Sequence, residues 1–465
     1  MRRFSALALT LFASACTLGP DYQRPELPMP TAYLQSAEQG ESIANLRWWE
    51  IFADPQLKIL IATALEENRN LAVAAARVEE ARARLGVVRA DQFPSVDGQA
   101  GASRGNTAEE FIPDAGTNNR FSIGATLAWE LDIWGKLRRA TESARAQLLA
   151  TEEAQRAVII SLISDVASGY LLLRDLDDRL VIADRTLDSR LGSLDIIQAR
   201  FDKGTVPLID VNQADIEVAQ ASVTLASLER ERVRTENALS ILLGRNPGAI
   251  KRGDSLDEQT VPPRLPAGVP ATVLERRPDI RQAEQALAAQ TALIGVAQAN
   301  RLPSLNLLGQ LGFVNDDLDD LFDDDLWTIG GDLTGPIFDA GRTKQQVEVE
   351  RARTRQLLNS YVLTVQRALA EVEDSLAGIR TFRAELAARE RQVNSARSAA
   401  TLSRARYDGG VTSYLEVLDS ERSLFDAELA KSITRRQSLT SVVDLYKALG
   451  GGWNPAPTSP ETNQE

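Results

Sequence analysis

Histidine is missing from the 465 residues altogether, and cysteine occurs once. The first absence removes the commonest general base and the commonest transition-metal ligand. The second excludes an intrachain disulfide and a thiolate metal cluster. No glycine-rich phosphate loop occurs, and no long basic run accompanies the formal charge of −13. The chain therefore reads as no enzyme, with no cofactor, no metal site and no nucleic-acid partner. Beyond the first residues it lacks an uncharged apolar run of the roughly 18–20 residues that a membrane-crossing helix needs; Val158 to Leu173 is interrupted by Asp165. What is present, 43% hydrophobic and 25% charged residues, suits a folded protein with a large core. If such a chain spans a membrane, it must do so with strands closed into a barrel.

Arg2 and Arg3 precede an apolar run from Phe4 to Ala13 and then Ser14-Ala15-Cys16, the charged, apolar and small-residue order of an export signal. Residues 1–15 are read as a signal peptide and 16–55 as a lipid-anchored N-terminal segment, with Cys16 resembling the acylated cysteine of a bacterial lipoprotein. A palmitate-type anchor needs no spanning helix.

The rest of the chain repeats itself at an offset of about 206 to 209 residues. Leu85-Gly86-Val87 with Pro94-Ser95 recurs as Ile294-Gly295-Val296 with Pro303-Ser304. Arg200-Phe201-Asp202-Lys203-Gly204 recurs as Arg406-Tyr407-Asp408-Gly409-Gly410, and Leu243-Gly244 as Leu449-Gly450. The first repeat is placed at 56–245: a helix over 56–92, strands at 95–104 and 121–133, a long helix over 136–203 and a helix over 207–243. An irregular, proline-rich connector covers 246–275. The second repeat, 276–450, holds a helix, strands at 304–314 and 327–338, a long helix over 342–408 and a helix over 413–449, before a disordered tail at 451–465. Leu173, Leu176, Leu180, Ala183, Leu187, Leu191, Leu194 and Phe201 follow heptad-like spacings and are expected to pack as a coiled-coil seam. At ~1.5 Å per residue the long helix comes to about 100 Å and each flanking helix to about 55 Å, so two short helices stacked end to end match one long one.

Between the helices the period drops to two. Phe121, Ile123, Ala125, Leu127, Trp129, Leu131 and Ile133 alternate with small or polar residues, and Leu305, Leu307, Leu311, Phe313, Trp327, Ile329, Leu333 and Ile337 repeat the pattern more weakly. The lengths suit membrane strands of roughly 9–11 residues with aromatic residues at the rim. Four strands cannot close a barrel, since the smallest membrane barrels use about eight. The barrel must be shared by a cyclic oligomer that removes all edges at once. The acidic loop 316–325 lacks the glycine and terminal glutamate of an EF-hand and reads as a solvated loop.

Trp48-Trp49 with Phe52 and Asp54-Pro55, Trp129-Glu130-Leu131-Asp132, Leu274 to Arg281 (LERRPDIR), Gly335-Pro336-Ile337-Phe338, Tyr414 to Asp419 (YLEVLD) and Leu445 to Trp453 (LYKALGGGW) together resemble the outer membrane factor family. These are TolC-like channels, and the runs point to the lipoprotein branch that serves RND-type multidrug efflux pumps. The resemblance implies a mixed α and β membrane protein: a homotrimer with a 12-stranded β-barrel, four strands per chain, continuous with a periplasmic α-helical barrel. It implies an outer membrane location, contact with outer membrane lipid, and docking of a periplasmic adaptor protein and an inner-membrane RND-type transporter, so that small-molecule substrates pass through passively. A type I polypeptide-secretion channel would use the same architecture, and a periplasmic coiled-coil scaffold is the reading from another class.

The turns Gly204-Thr205-Val206-Pro207 and Gly409-Gly410-Val411-Thr412-Ser413 join each long helix to the next. Glycine suits a helix end, Pro207 a first helical turn, and Ser413 with Glu416 the spacing of a capping box. The resemblance makes Gly204, Val206, Pro207, Gly410 and Val411 the adaptor-docking tips, Val206 and Val411 being expected as exposed apolar residues. It makes Leu415 and Asp419, four apart on one helix face, an apolar and an acidic constriction. Arg406, Tyr407 and Asp408 are expected to tie neighbouring helices shut. The first-repeat equivalents of the constriction are Ile209 and Gln213, so an acidic ring would come from the second repeat alone. The negative net charge predicts a cation-preferring pore.

Overall fold

The computed structural model describes residues 17–35, 42–47, 51, 53–106, 117–260 and 265–451. The signal peptide, Cys16, Trp48-Trp49, Phe52, most of the first strand-to-strand loop, Pro262-Pro263 and the tail from 452 lie outside the described residues.

The elements follow the duplication. The first repeat holds α1 (Pro55–Glu67), α2 (Arg69–Ala90), β1 (Ser95–Asn106), β2 (Thr117–Leu131), α3 (Lys136–Asp202) and α4 (Leu208–Leu242). A one-turn helix at Val273–Arg276 precedes α5 (Pro278–Ala299), β3 (Ser304–Asn315), β4 (Asp325–Thr334), α6 (Arg342–Asp408) and α7 (Tyr414–Ala448). The two long helices are 67 residues each and the two that follow them 35 each. The chain clusters into two compact units, one of Met1–Leu27, Ala76–Glu153 and Arg281–Leu363, the other of Pro28–Ala75, Ala154–Ile280 and Thr364–Glu465.

Several expected elements end elsewhere. The helix over 56–92 is interrupted at Asn68, whose backbone is extended. Asn68 ends α1 through its N–H to the Ala64 carbonyl and caps α2, its Oδ1 accepting from the Leu71 N–H at 2.9 Å. Its Nδ2 also donates to the Leu242 carbonyl at 2.8 Å. Strand β2 stops at Leu131, because the Asp132 carboxylate turns to accept from the Leu137 and Arg138 N–H groups at the start of α3. Strand β4 stops at Thr334, before Gly335-Pro336, leaving Ile337 fully exposed outside the sheet.

The Asp54-Pro55 and Glu275-to-Asp279 runs are structural. Asp54 is buried, caps α1 by accepting from the Gln56 and Leu57 N–H groups, and receives the Tyr170 hydroxyl at 2.7 Å. Arg277 forks onto Asp279 at 3.0 and 2.7 Å and donates to the Ala448 carbonyl.

In the second unit, Leu176, Leu180 and Ala183 of α3 pack with Leu228 of α4 and Phe425 of α7. The buried line on α3 continues through Arg190, Ser193 and Ile197; Leu187 and Leu194 are half-buried, and Leu191 is 44% exposed. The buried line thus keeps a strict seven-residue step from Leu176 through Ala183 and Arg190 to Ile197, and Leu191, eight residues after Ala183, falls outside it; Arg190 occupies a seam position because Glu217 lies opposite. One window of α3 has a mean hydropathy of 1.6, apolar enough by composition to cross a membrane, but half of it is buried within the chain.

Candidate functional site

The sheet and the pair of turns after the long helices both carry surface chemistry that a chain folded alone in water would not need.

The sheet has the order β1-β2-β3-β4, each pair antiparallel. Its register places Val96 beside Leu127, Ile123 beside Phe313, Trp129 beside Leu307, Leu311 beside Trp327 and Leu305 beside Leu333. Residues alternate in facing along a strand, so these all lie on one face. The other face carries Ser95, Asp97, Gln99, Thr126, Glu130, Asn306, Gln310, Thr328 and Asp332. A sheet in water covers its apolar face, whereas here Val96, Leu311, Trp327, Ile329 and Leu333 are all exposed. The edges of β1 and β4 have no partner strand among the described residues. An uncovered apolar face, a polar reverse and two open edges fit one sector of a lipid-facing barrel closed by further copies.

The turns share one backbone. After α3, the Gly204 N–H reaches the Phe201 carbonyl at 2.7 Å and the Thr205 N–H the Arg200 carbonyl at 2.9 Å. After α6, Gly410 bonds to Tyr407 and Val411 to Arg406, both at 2.9 Å. This paired closure requires a left-handed residue, supplied by Gly204 (φ 74°) and Gly410 (φ 72°).

The side chains differ. Pro207 occupies the cap position before α4 rather than the first helical turn. Ser413 is the cap residue of α7, but its hydroxyl makes no capping bond, so the expected capping box does not form. Its would-be partner Glu416 is engaged elsewhere: Thr412 Oγ1 donates to one carboxylate oxygen, and Arg406 lies 3.5 Å from the other. Val206 is not exposed as expected, because it folds inward with Leu194 and Val211 against Ile197, Ala214, Tyr414, Val417 and Leu418. Val411 is 71% exposed.

Of the residues expected to tie the helices, Asp408 receives Arg200 from the first repeat at 3.3 Å and Arg404 at 3.7 Å. Arg200 also lies 5.0 Å over the Tyr407 ring, which meets Tyr414 at 5.3 Å. Arg406 stays within its own turn. Leu415 is 59% exposed, as is its first-repeat equivalent Ile209. Asp419 is exposed one turn along the same face of α7 and makes no hydrogen bond or salt bridge among the described residues.

Beneath the turns lies a charged brace that the sequence did not signal. Arg190 and Glu217 are both buried and pair at 3.0 Å, and Arg190 also donates to the Glu217 carbonyl at 2.8 Å. Arg422 of α7 bonds to the other Glu217 oxygen. Burial raises the Glu421 carboxyl above the usual range against the opposing pull of Arg404 and Arg190, and burial, with Glu421 nearby, pushes the Tyr414 hydroxyl up to about 12. Arg200, Arg190 and Glu217 were absent from the expected site because their partners come from other helices. Only the recurrence of Arg200 as Arg406 hinted at a shared task.

Residues 60–245 and 269–451 match the family model described as outer membrane efflux protein. The chain is 38% identical over 456 residues to the solvent efflux pump outer membrane protein SrpC of Pseudomonas putida, covering 96% of this chain and 97% of that one. It is 34% identical over 459 residues to the cation efflux system protein CusC of Escherichia coli K12, covering 96% and 98%. The crystal structure of the open state of the Neisseria gonorrhoeae MtrE outer membrane channel superposes with a TM-score of 0.84 at 30% identity, covering 94% of this chain and 98% of that one. The four strands are thus one third of a 12-stranded barrel closed by three chains. With both repeats matched, and a sheet that only membrane and further copies can complete, the chain belongs to the outer membrane efflux protein family as the outer membrane channel subunit of an efflux pump.

Proposed function

We propose that α7 from three chains lines the periplasmic entrance of this channel, with Leu415 as an apolar ring and Asp419 as an acidic ring. The observation that carries this reading is the placement of both side chains, exposed and one turn apart on a helix that begins at the turn. Threefold repetition converts one carboxylate into a ring of three, a recognised way to select cations at a constriction. Tyr407 and Asp408 act as the latch through Arg200 of the other repeat, and Arg406, paired with Glu416, stiffens the turn that carries them. The exposed Val411, with Gly204, Val206, Pro207 and Gly410 shaping the two turns, forms the surface on which a periplasmic adaptor docks, linking the channel to an inner-membrane RND-type transporter. The chain performs no covalent chemistry. Its substrates are small molecules, in keeping with relatives named for solvent and cation efflux.

The decisive experiment is single-channel recording of the purified trimer in planar bilayers, comparing wild type with Asp419→Ala and Gln213→Ala. Wild type should pass small, cation-selective currents; Asp419→Ala should enlarge them and weaken the selectivity, and Gln213→Ala should change neither. Anion preference in the wild type, or equal effects of the two substitutions, would remove Asp419 from the constriction.

Cys16 is proposed as the site of acylation. The support is its neighbour: Thr17 packs against Gly135, leaving no room for a Cβ there, and the Leu18 N–H bonds to the Trp134 carbonyl at 3.2 Å. Arg139 holds the Leu18 carbonyl at 3.0 Å. The chain is therefore fastened, one residue after Cys16, where β2 passes into α3, at the foot of the barrel wall. An N-terminal peptide of unmodified mass from membrane-extracted protein would exclude the anchor.

A further inference from the structure

A groove of about 570 Å³ lies between α2 and the start of α3, lined by Arg82, Arg89, Arg138 and Arg145, with Leu85 and Gly86 as its apolar floor. In a chain of net charge −13 this is a local excess of positive charge. Arg138 is answered by Asp132 at 3.1 Å and Arg82 by Glu152 at 3.6 Å. The one acid in the lining, Glu142, is taken by Arg139 at 2.7 Å. Arg89 and Arg145 are exposed and make no hydrogen bond or ion pair among the described residues.

The groove is continuous with the lipid-facing side of the sheet. Trp129, on the apolar face, donates its indole N–H to the Gln92 carbonyl at 3.1 Å, and the Gln92 side chain donates to Thr141 Oγ1 at 2.5 Å inside the groove. Arg89 is the penultimate residue of α2 and Arg138 the third of α3, so both lie within a turn or two of the strand ends. The polar interface of a bilayer extends roughly 5–8 Å beyond its hydrocarbon core, which brings this pair to headgroup level. Arg82 and Arg145, seven residues further along their helices, extend the positive strip by about 10 Å.

The repeat supplies a second argument. Gly295, the equivalent of Gly86, is covered by the N-terminal segment: a Cβ there would lie 2.5 Å from the Leu18 carbonyl oxygen and 2.9 Å from Arg139 Cγ. A Cβ on Gly86 would meet nothing within 4 Å. The position that the chain fills with its own backbone in one repeat is open in the other, and it is surrounded by guanidinium groups.

We propose that this groove binds the phosphate headgroup of an anionic phospholipid from the periplasm-facing leaflet, one per chain. Arg89 and Arg138 take the phosphate, Arg145 adds to the positive potential around it, and Leu85 and Gly86 accommodate the glycerol backbone. Guanidinium groups suit this task through charge-assisted, paired N–H donation.

The test is native mass spectrometry of the intact trimer titrated with phosphatidylglycerol, alongside phosphatidylethanolamine and inorganic phosphate. Wild type should retain up to one phosphatidylglycerol per chain in preference to phosphatidylethanolamine. Arg89→Gln with Arg145→Gln should weaken retention about tenfold. Gly86→Leu, which keeps every charge but fills the floor, should do the same while the trimer still forms. Arg77→Gln with Arg84→Gln, outside the groove lining, should leave retention unchanged. Equal retention by the groove variants, equal binding of the zwitterionic lipid, or displacement by millimolar inorganic phosphate would each overturn the proposal, the last by showing a free-phosphate site.

Discussion

The turn after α3 and the turn after α6 close with the same two hydrogen bonds around a left-handed glycine, yet they carry different side chains. Where the first has Phe201, Leu208, Ile209 and Gln213, the second has Tyr407, Tyr414, Leu415 and Asp419. Deeper along the helices the asymmetry reverses. The first repeat buries Arg190 and Glu217, whose equivalents are Ala396 and Ser423, and its long helix has Asp175, Asp177 and Asp178 where the other has Thr381, Arg383 and Ala384. Duplication fixed the backbone, and the side chains then diverged: the entrance chemistry sits in the second repeat, while the ionic braces run between the repeats, Arg422 reaching Glu217 and Arg185 reaching the buried Glu428. Arg200 also joins the two repeats, because it leaves its own turn and reaches Asp408.

The largest break in that bracing should come from Arg190→Ala. It leaves the Glu217 carboxylate, 5% exposed, with Arg422 as its remaining partner, so the loss should be about 2–3 kcal/mol, below the roughly 3–5 kcal/mol of a buried charge left with none. Denaturant midpoints of the trimer should fall accordingly, while Ala396→Ser in the other repeat should shift stability by only about 0.5 kcal/mol. Equal losses at both positions would mean that the repeats share the load.

A smaller, pH-dependent effect is expected at Asp178. Burial raises its carboxyl to about 6, Arg174 opposing and Asp257, Asp175 and Asp177 adding to the rise. The folded state thus disfavours the carboxylate, and the penalty is fully present above pH 6 and fades as pH falls toward the unfolded value of about 3.9. Asp178→Asn should melt a few degrees higher than wild type at pH 7.5, on the order expected for about 1 kcal/mol, with the gap closing by pH 4.5. A gap independent of pH would assign the gain to packing instead.

The smallest effect sharpens the comparison most. Arg200→Ala removes an exposed tie worth under about 1 kcal/mol in each chain, so the open fraction in bilayer recordings should rise no more than about fivefold for each of the ties that opening must break. Asp408→Ala should do the same, and the double variant should add little if the two act on each other. Arg406→Ala, confined to its own turn, should leave the open fraction closer to wild type.

Much of the fold was legible because it rests on local signals. Pro94 and Pro303 break helices, the residues from Phe121 to Leu131 alternate, and the recurrence of Gly204 as Gly410 marks equivalent turns. Where local signals misled, a longer-range partner had intervened. Glu416 has capping-box spacing from Ser413, but Thr412 and Arg406 take its carboxylate. Val206 looks like an exposed turn residue, but the cluster around Tyr414 gives it a place to fold into. Leu191 looks like the next apolar seam residue but faces outward, because the seven-residue step from Ala183 falls on Arg190, which Glu217, 27 residues away, holds in the seam. Leu415 and Asp419 could be placed on one face from their spacing alone. Arg200 could not be linked to Asp408, because nothing local connects residues 208 apart.

The open edges of β1 and β4 also have a genetic consequence. No chain completes its own wall, so every channel is a sample of three gene products. In a cell making equal amounts of wild-type and defective subunits that assemble at random, only roughly one channel in eight is wholly wild type. A substitution at Asp419 that tolerates assembly should therefore behave as dominant, whereas one that destroys the edge of β1 or β4 should be recessive, because its product never enters a ring.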